Sequence, residues 1–128
     1  MSKNALKERP KYLNLMRIKL PVTGVVSFFH RVSGILLILS IPLVLFLLDK
    51  SIQDEAGFNG AIKALQATSV KLIFGAVLLA VVHHLSTGIR FLLFDLDLGV
   101  TRESARKISW LVLGIDVLAL LLVIRWII

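Results

Sequence analysis

Ser27, His30 and Arg31 in SFFHRVSG, His83, His84 and Arg90 in HHLSTGIRFLLFD, and Asp116 in WLVLGIDVLAL are the residues of this chain with chemistry to offer. Each interrupts an apolar run. A charge near a bilayer midplane costs about 2.5–3.5 kcal/mol on insertion scales, so an ionisable residue there marks a functional site and needs a partner. Imidazole ligates iron, and guanidinium and imidazole hold carboxylates. The chain has no cysteine, which removes disulfides, thiolate metal sites and iron–sulfur ligation; a redox cofactor held here uses histidine.

At about 100° per residue, Ser27, His30, Arg31 and Gly34 share an arc of about 100°. His84, Gly88, Phe91 and Asp95 share about 60°, while His83 and Arg90 point about 100° or more away from His84. Arg31 lies about 15 Å past Pro21 and His84 about 16 Å before Asp95, so the two stripes reach the same depth. A cation facing an imidazole still lacks an anion. Haem supplies one: its iron accepts neutral imidazole, its propionates suit His and Arg donors, and Gly88 leaves room for a flat macrocycle. One suitably facing histidine leaves the second axial position to another chain. The plainer readings stand beside this. His84 and Ser27 also suit interhelical hydrogen bonding, Arg31 a structural ion pair, and Gly34, Gly75, Gly88 and Gly114 close helix packing. Arg90 is expected to snorkel to lipid phosphates. Asp116 is expected either to be protonated or to bond a polar neighbour such as His83.

The elements that position these residues are apolar blocks. The 128 residues are 57% hydrophobic, with mean hydropathy +0.88, and the apolar residues cluster at about 21–48, 72–94 and 108–128. Each block is long enough to cross about 30 Å of hydrocarbon as a helix. The expected fold is an all-α membrane protein with three transmembrane helices, a basic arm over 1–20 and an anchor domain over 21–128. The arm contains KYLNLMRIKL, a short amphipathic segment suited to the interface. Phe58, Ile62 and Leu65 suggest a short outer-loop helix. Pro42 is expected to kink the first span, and Gly99 to make a tight connection before the third. The first block is too long, and too far behind polar residues, for a signal peptide, and the amino terminus lacks transit-peptide character. The net charge of +7 is concentrated before the first span and in the second loop. That is a topology signal rather than a nucleic-acid surface, and places the N-terminus in the cytoplasm and the C-terminus in the periplasm of a bacterial inner membrane.

RPKYLNLMRIKLPVTGVVSFFHRVSG, residues 9–34, resembles the opening signature of the succinate dehydrogenase cytochrome b556 family. The matching residues are Arg9-Pro10, Leu13, Pro21, Thr23, Ser27, His30-Arg31 and Ser33-Gly34. HLSTGIRFLLFD, residues 84–95, resembles that family's second signature through His84, Gly88, Arg90, Leu92 and Asp95. The resemblance implies a membrane anchor of respiratory complex II, joined to a flavoprotein subunit, an iron–sulfur subunit and a second anchor chain. It implies haem b shared with that second anchor, His84 as an axial ligand of the iron, and His30 and Arg31 at the propionates. It further implies a ubiquinone pocket lined by Ser27 and Arg31. Succinate oxidation would belong to the flavoprotein. One departure stands out: Phe91 occupies the place where the family's signature usually has histidine. The competing expectations are a haem-free structural anchor of a related complex such as fumarate reductase, and a small proton or ion conduit through Arg31, His83, His84 and Asp116.

Overall fold

Inside hydrocarbon a backbone must satisfy its own hydrogen bonds, and a lone apolar segment does so as a helix. The computed structural model describes residues 19–128, and there the chain forms four helices and no strand. They are α1 (Val22–Gln53), α2 (Glu55–Gln66), α3 (Thr68–Asp95) and α4 (Arg102–Ile127). The basic arm and its interfacial segment lie outside the described residues, apart from Lys19 and Leu20, which are exposed and non-helical. α1, α3 and α4, of 32, 28 and 26 residues, are each long and apolar enough to cross a membrane. The chain is a multi-pass membrane protein.

Two boundaries move by five or more residues relative to the apolar blocks. α1 would measure about 48 Å, well beyond a hydrocarbon core of about 30 Å, so its last turns leave the lipid and carry Asp49, Lys50 and Gln53. Gln53 Nε2 donates to Asp49 Oδ2 at 2.8 Å, and Lys50 in the last turn complements the helix dipole. At the other end of the sequence, α4 begins at Arg102, six residues before its apolar block. Thr101 caps it, accepting from Ser104 N at 3.2 Å, and Glu103 lies in its first turn. Pro42 lies within α1, which runs past it as one helix.

Short, well-defined connections join the helices. Asp54 caps α2 by accepting from Gly57 N at 2.6 Å, and α2, with its apolar residues toward α1 and α3, is the expected outer-loop helix. α3 ends in a Schellman motif: Leu98 N donates to Leu93 O at 2.9 Å and Asp97 N to Phe94 O at 3.0 Å. Asp97 takes the left-handed conformation at φ 57°, and Gly99 follows at φ 77°. A side chain at Gly99 would also meet Ile108 Cδ1 at 2.6 Å, so the expected tight connection depends on glycine there.

α3 packs against both α1 and α4, and α1 also touches α4. The starts of α1 and α4 and the end of α3 meet at one end of the bundle, with α2 at the other. The interior is thin and made of small or polar residues: Val26, Ser33, Ala80, Thr87, Ser109, Val112 and Val123 are buried. Small residues let membrane helices approach closely where hydrophobicity provides no drive. At Gly75 an added Cβ would come within 2.8 Å of Val123 Cγ1. Most Leu, Ile and Phe side chains face outward, as suits a protein whose solvent is lipid or other subunits.

Candidate functional site

The stripes on α1 and α3 meet through His30 and Gly34, while Arg31, matched in depth to His84, is exposed. His30 and His84 stack with ring centroids 4.1 Å apart and planes 10° apart. A Cβ at Gly34 would lie 3.2 Å from His84 Cε1, and one at Gly88 4.0 Å from His30 Nε2. Each imidazole therefore lies over a glycine of the opposite helix. Phe91 meets the His30 ring edge-on, with centroids 5.2 Å apart, so the phenyl group fills space beside His30 without offering a ligand atom.

The hydrogen bonds of His84 settle its tautomer. Nδ1 lies 3.1 Å from the His30 carbonyl oxygen and 3.1 Å from Ser33 Oγ. Ser33 Oγ donates its own hydrogen to the same carbonyl at 2.8 Å. Both neighbours of Nδ1 are then acceptors, so Nδ1 carries the hydrogen and Nε2 keeps its lone pair. Nε2 makes no hydrogen bond to any described residue. A histidine whose Nδ1–H is tied to a backbone carbonyl is oriented and made more basic for metal ligation through Nε2. Ser33, which the sequence offered only as part of a motif, is thus a second anchor of His84. The signal was its place three residues after His30, about 60° further round α1.

His83 turns away from this stack, as expected, and holds three helices together. Its Nδ1 lies 2.7 Å from Asp116 Oδ2 on α4, and its Nε2 lies 3.2 Å from the Val26 carbonyl on α1. Thr87 Oγ1 is 3.4 Å from the same Nε2. A carbonyl only accepts, so Nε2 donates in that contact, and Nδ1 faces the Asp116 carboxyl group. Asp116 therefore takes the bonded alternative of the two foreseen for it. An apolar cavity of about 330 Å³, lined by Phe29, Leu36, Leu79 and Leu120, lies beside the pair. Replacing Asp116 with leucine would leave a buried imidazole nitrogen unpaired, at a cost of about 1–3 kcal/mol. The Asp116→Leu complex should unfold at a clearly lower temperature than wild type, while Asp116→Asn, which keeps an acceptor, should fall in between. Thermal unfolding followed by circular dichroism checks this.

The remaining residues divide. Ser27 is half-buried and Arg31 exposed, one turn apart on α1, and neither makes an ion pair among the described residues. Arg31 is thus a cation within the first span that has no ion-pair partner among the described residues. Arg90 contradicts its expectation. It does not snorkel outward but is buried at 4% exposure, with its guanidinium carbon 4.7 Å from the Phe94 ring centroid and 5.6 Å from that of Phe91. Its Nε and Nη1 have no hydrogen-bond partner among the described residues. The aromatic rings one and four residues on cover the stem and give the cation a quadrupole partner in place of lipid phosphate.

Comparison with known proteins agrees with this geometry. Residues 5–123 match the family described as succinate dehydrogenase/fumarate reductase transmembrane subunit. The chain is similar to a succinate dehydrogenase cytochrome b556 subunit of Coxiella burnetii, 30% identical over 121 residues that cover 94% of this chain and 97% of the relative. It is also similar to the subunits of that name in Paracoccus denitrificans, 29% identical over 117 residues and covering 91% and 90% of the two chains, and in Rickettsia felis, 26% identical over 115 residues and covering 90% of each. Three membrane-length helices and a match along nearly the whole length lead to one assignment: the chain belongs to the succinate dehydrogenase/fumarate reductase transmembrane subunit family.

Proposed function

We propose that the chain is the cytochrome b anchor of a succinate:ubiquinone oxidoreductase, holding haem b together with a second anchor chain and forming part of the ubiquinone-reduction site. The observation that carries this reading is His84, whose Nδ1–H is committed to the His30 carbonyl and whose Nε2 lone pair is left free. The donor set fits the group. His84 would ligate the iron, His30 and Arg31 would hold the propionates, and Gly34 and Gly88 keep the seam free of side chains. Bound haem would supply a one-electron station between the two anchor chains.

In this reading Ser27 and Arg31 line the quinone pocket at the end of the bundle where α1 begins. The Ser27 hydroxyl donates to a quinone carbonyl oxygen and fixes the ring. The Arg31 guanidinium lowers the energy of negative charge arriving on the quinone, an effect amplified where water is scarce. The flavoprotein and iron–sulfur subunits dock on that same side, which the basic arm makes the cytoplasmic side of a bacterial inner membrane, and the C-terminus faces the periplasm. Against a proton conduit stands the wiring of His83, whose Nε2–H ends on a backbone carbonyl rather than on another titratable group.

Ser27→Ala tests the pocket. A lost hydrogen bond to a neutral oxygen is worth about 0.5–1.5 kcal/mol, so ubiquinone reduction by the assembled complex should fall several-fold, mainly through a raised KM. Succinate oxidation by a soluble artificial acceptor should stay at the wild-type rate. Equal loss in both assays would remove Ser27 from the site.

A further inference from the structure

The end of the bundle where α1 and α4 begin holds a second polar feature, distinct from the histidine seam. A cavity of about 290 Å³ lies there between the first turn of α1 and the first two turns of α4, lined by Pro21, Val22, Thr23, Arg102, Arg106 and Trp110. Arg102, Arg106 and Trp110 follow one another at four-residue intervals and so share an arc of about 80° on α4. Both guanidiniums are exposed, and neither has an acidic partner among the described residues. Glu103, the nearest carboxylate in sequence, is engaged by Lys107 at 2.7 Å, and Asp95 and Asp97 in the preceding turn pair with neither arginine.

Two arginines in the opening turns of a helix work against its dipole, so helix stability does not account for them. Their level in the bilayer does suggest an occupant. Val22 opens the first membrane-length helix, and the apolar run of α4 begins at Ile108, between Arg106 and Trp110. The cavity therefore straddles the border between hydrocarbon and water, where lipid phosphates lie and where tryptophan is enriched. The opposite wall adds to the match: Pro21 gives α1 no side-chain cap, and the carbonyl of Pro21 takes the N–H groups of Gly24 and Val25 only.

From this charge and depth we infer that the cavity binds the headgroup phosphate of an anionic phospholipid from the leaflet next to which α1 begins, with Arg102 and Arg106 on the phosphate and Trp110 against the glycerol and upper acyl chain. A guanidinium pair suits phosphate oxygens through paired N–H donors. The cavity shares that end of the bundle with the proposed quinone pocket, but its lining includes none of the residues assigned to haem or quinone.

The test uses the full complex purified with its partner subunits from nanodiscs of equimolar phosphatidylglycerol and phosphatidylcholine, with retained lipid read by native mass spectrometry. Two basic residues at a bilayer surface favour an anionic lipid by about 30-fold. The wild-type complex should therefore retain phosphatidylglycerol in strong preference. Arg102→Gln/Arg106→Gln should lose most of that preference, and Arg102→Lys/Arg106→Lys should keep much of it, which separates loss of charge from loss of fold. Excess inorganic phosphate should not displace the lipid. Unchanged retention in the glutamine variant overturns the site. So does displacement by inorganic phosphate, which would make it a plain anion site. A wild-type complex that retains no anionic lipid also overturns it, and would mean that a partner subunit closes the cavity. The haem spectrum of each variant, read on the same samples, keeps these outcomes separate from any failure of the proposed cytochrome role.

Discussion

Arg31→Ala is expected to lower the rate of ubiquinone reduction by the assembled complex by about 10²–10³-fold, the size of effect seen when one positioned donor to a developing oxyanion is removed. The residue is a lone cation in the span, exposed on the chain's own surface and unpaired among the described residues. An arginine at that depth is costly unless something anionic reaches it, and both proposed neighbours, a haem propionate and a reduced quinone oxygen, are anionic. Arg31→Lys keeps the charge but loses the planar fork, so it should recover part of the rate. Steady-state ubiquinone reduction, with succinate oxidation by a soluble acceptor as the internal reference, measures this. A rate in Arg31→Ala within about twofold of wild type would leave the cation without a role in the transition state, since a twofold change corresponds to about 0.4 kcal/mol.

The second large effect is expected at His84. Replacing it with glycine removes the axial nitrogen and leaves a gap facing Gly34, whose own lack of a side chain already lets the ring lie close. Haem content of the purified His84→Gly complex, determined after extraction, should fall from about one per complex to near zero when the site depends on two axial imidazoles. Added imidazole should restore part of it, because the Ser33 hydroxyl and His30 carbonyl that hold the ring remain in place. Wild-type haem content in His84→Gly would assign the iron to other residues.

Much of this arrangement was legible in the residues, and the reasons differ from element to element. The three spans follow from apolar runs of bilayer length, and α2 from the helical spacing of Phe58, Ile62 and Leu65. That the α1 and α3 stripes share a depth followed from rise and angular position, which belong to the helix itself, but the imidazole that meets His84 is His30 and not the Arg31 cation, which is exposed. The end of α1 at Gln53 was not legible, since hydropathy reports where lipid stops and not where the helix does. Ser33 was missed as a partner of His84 because its role depends on how closely α1 and α3 approach. Arg90 went astray for the same reason: whether an arginine stem runs outward or under Phe94 depends on how α3 is rotated against its neighbours. Asp116 and His83, 33 residues apart, could be matched in chemistry but not paired until α4 was packed against α3.

The central claim, that His84 rather than its neighbour carries the iron, has a direct test. Reduced-minus-oxidised optical spectra would be recorded on membranes containing the complex with wild-type chain, His84→Ala and His83→Ala. The expected result is a b-type band in wild type, its loss in His84→Ala and its retention in His83→Ala. A band that survives in His84→Ala, or that disappears only in His83→Ala, would contradict the account.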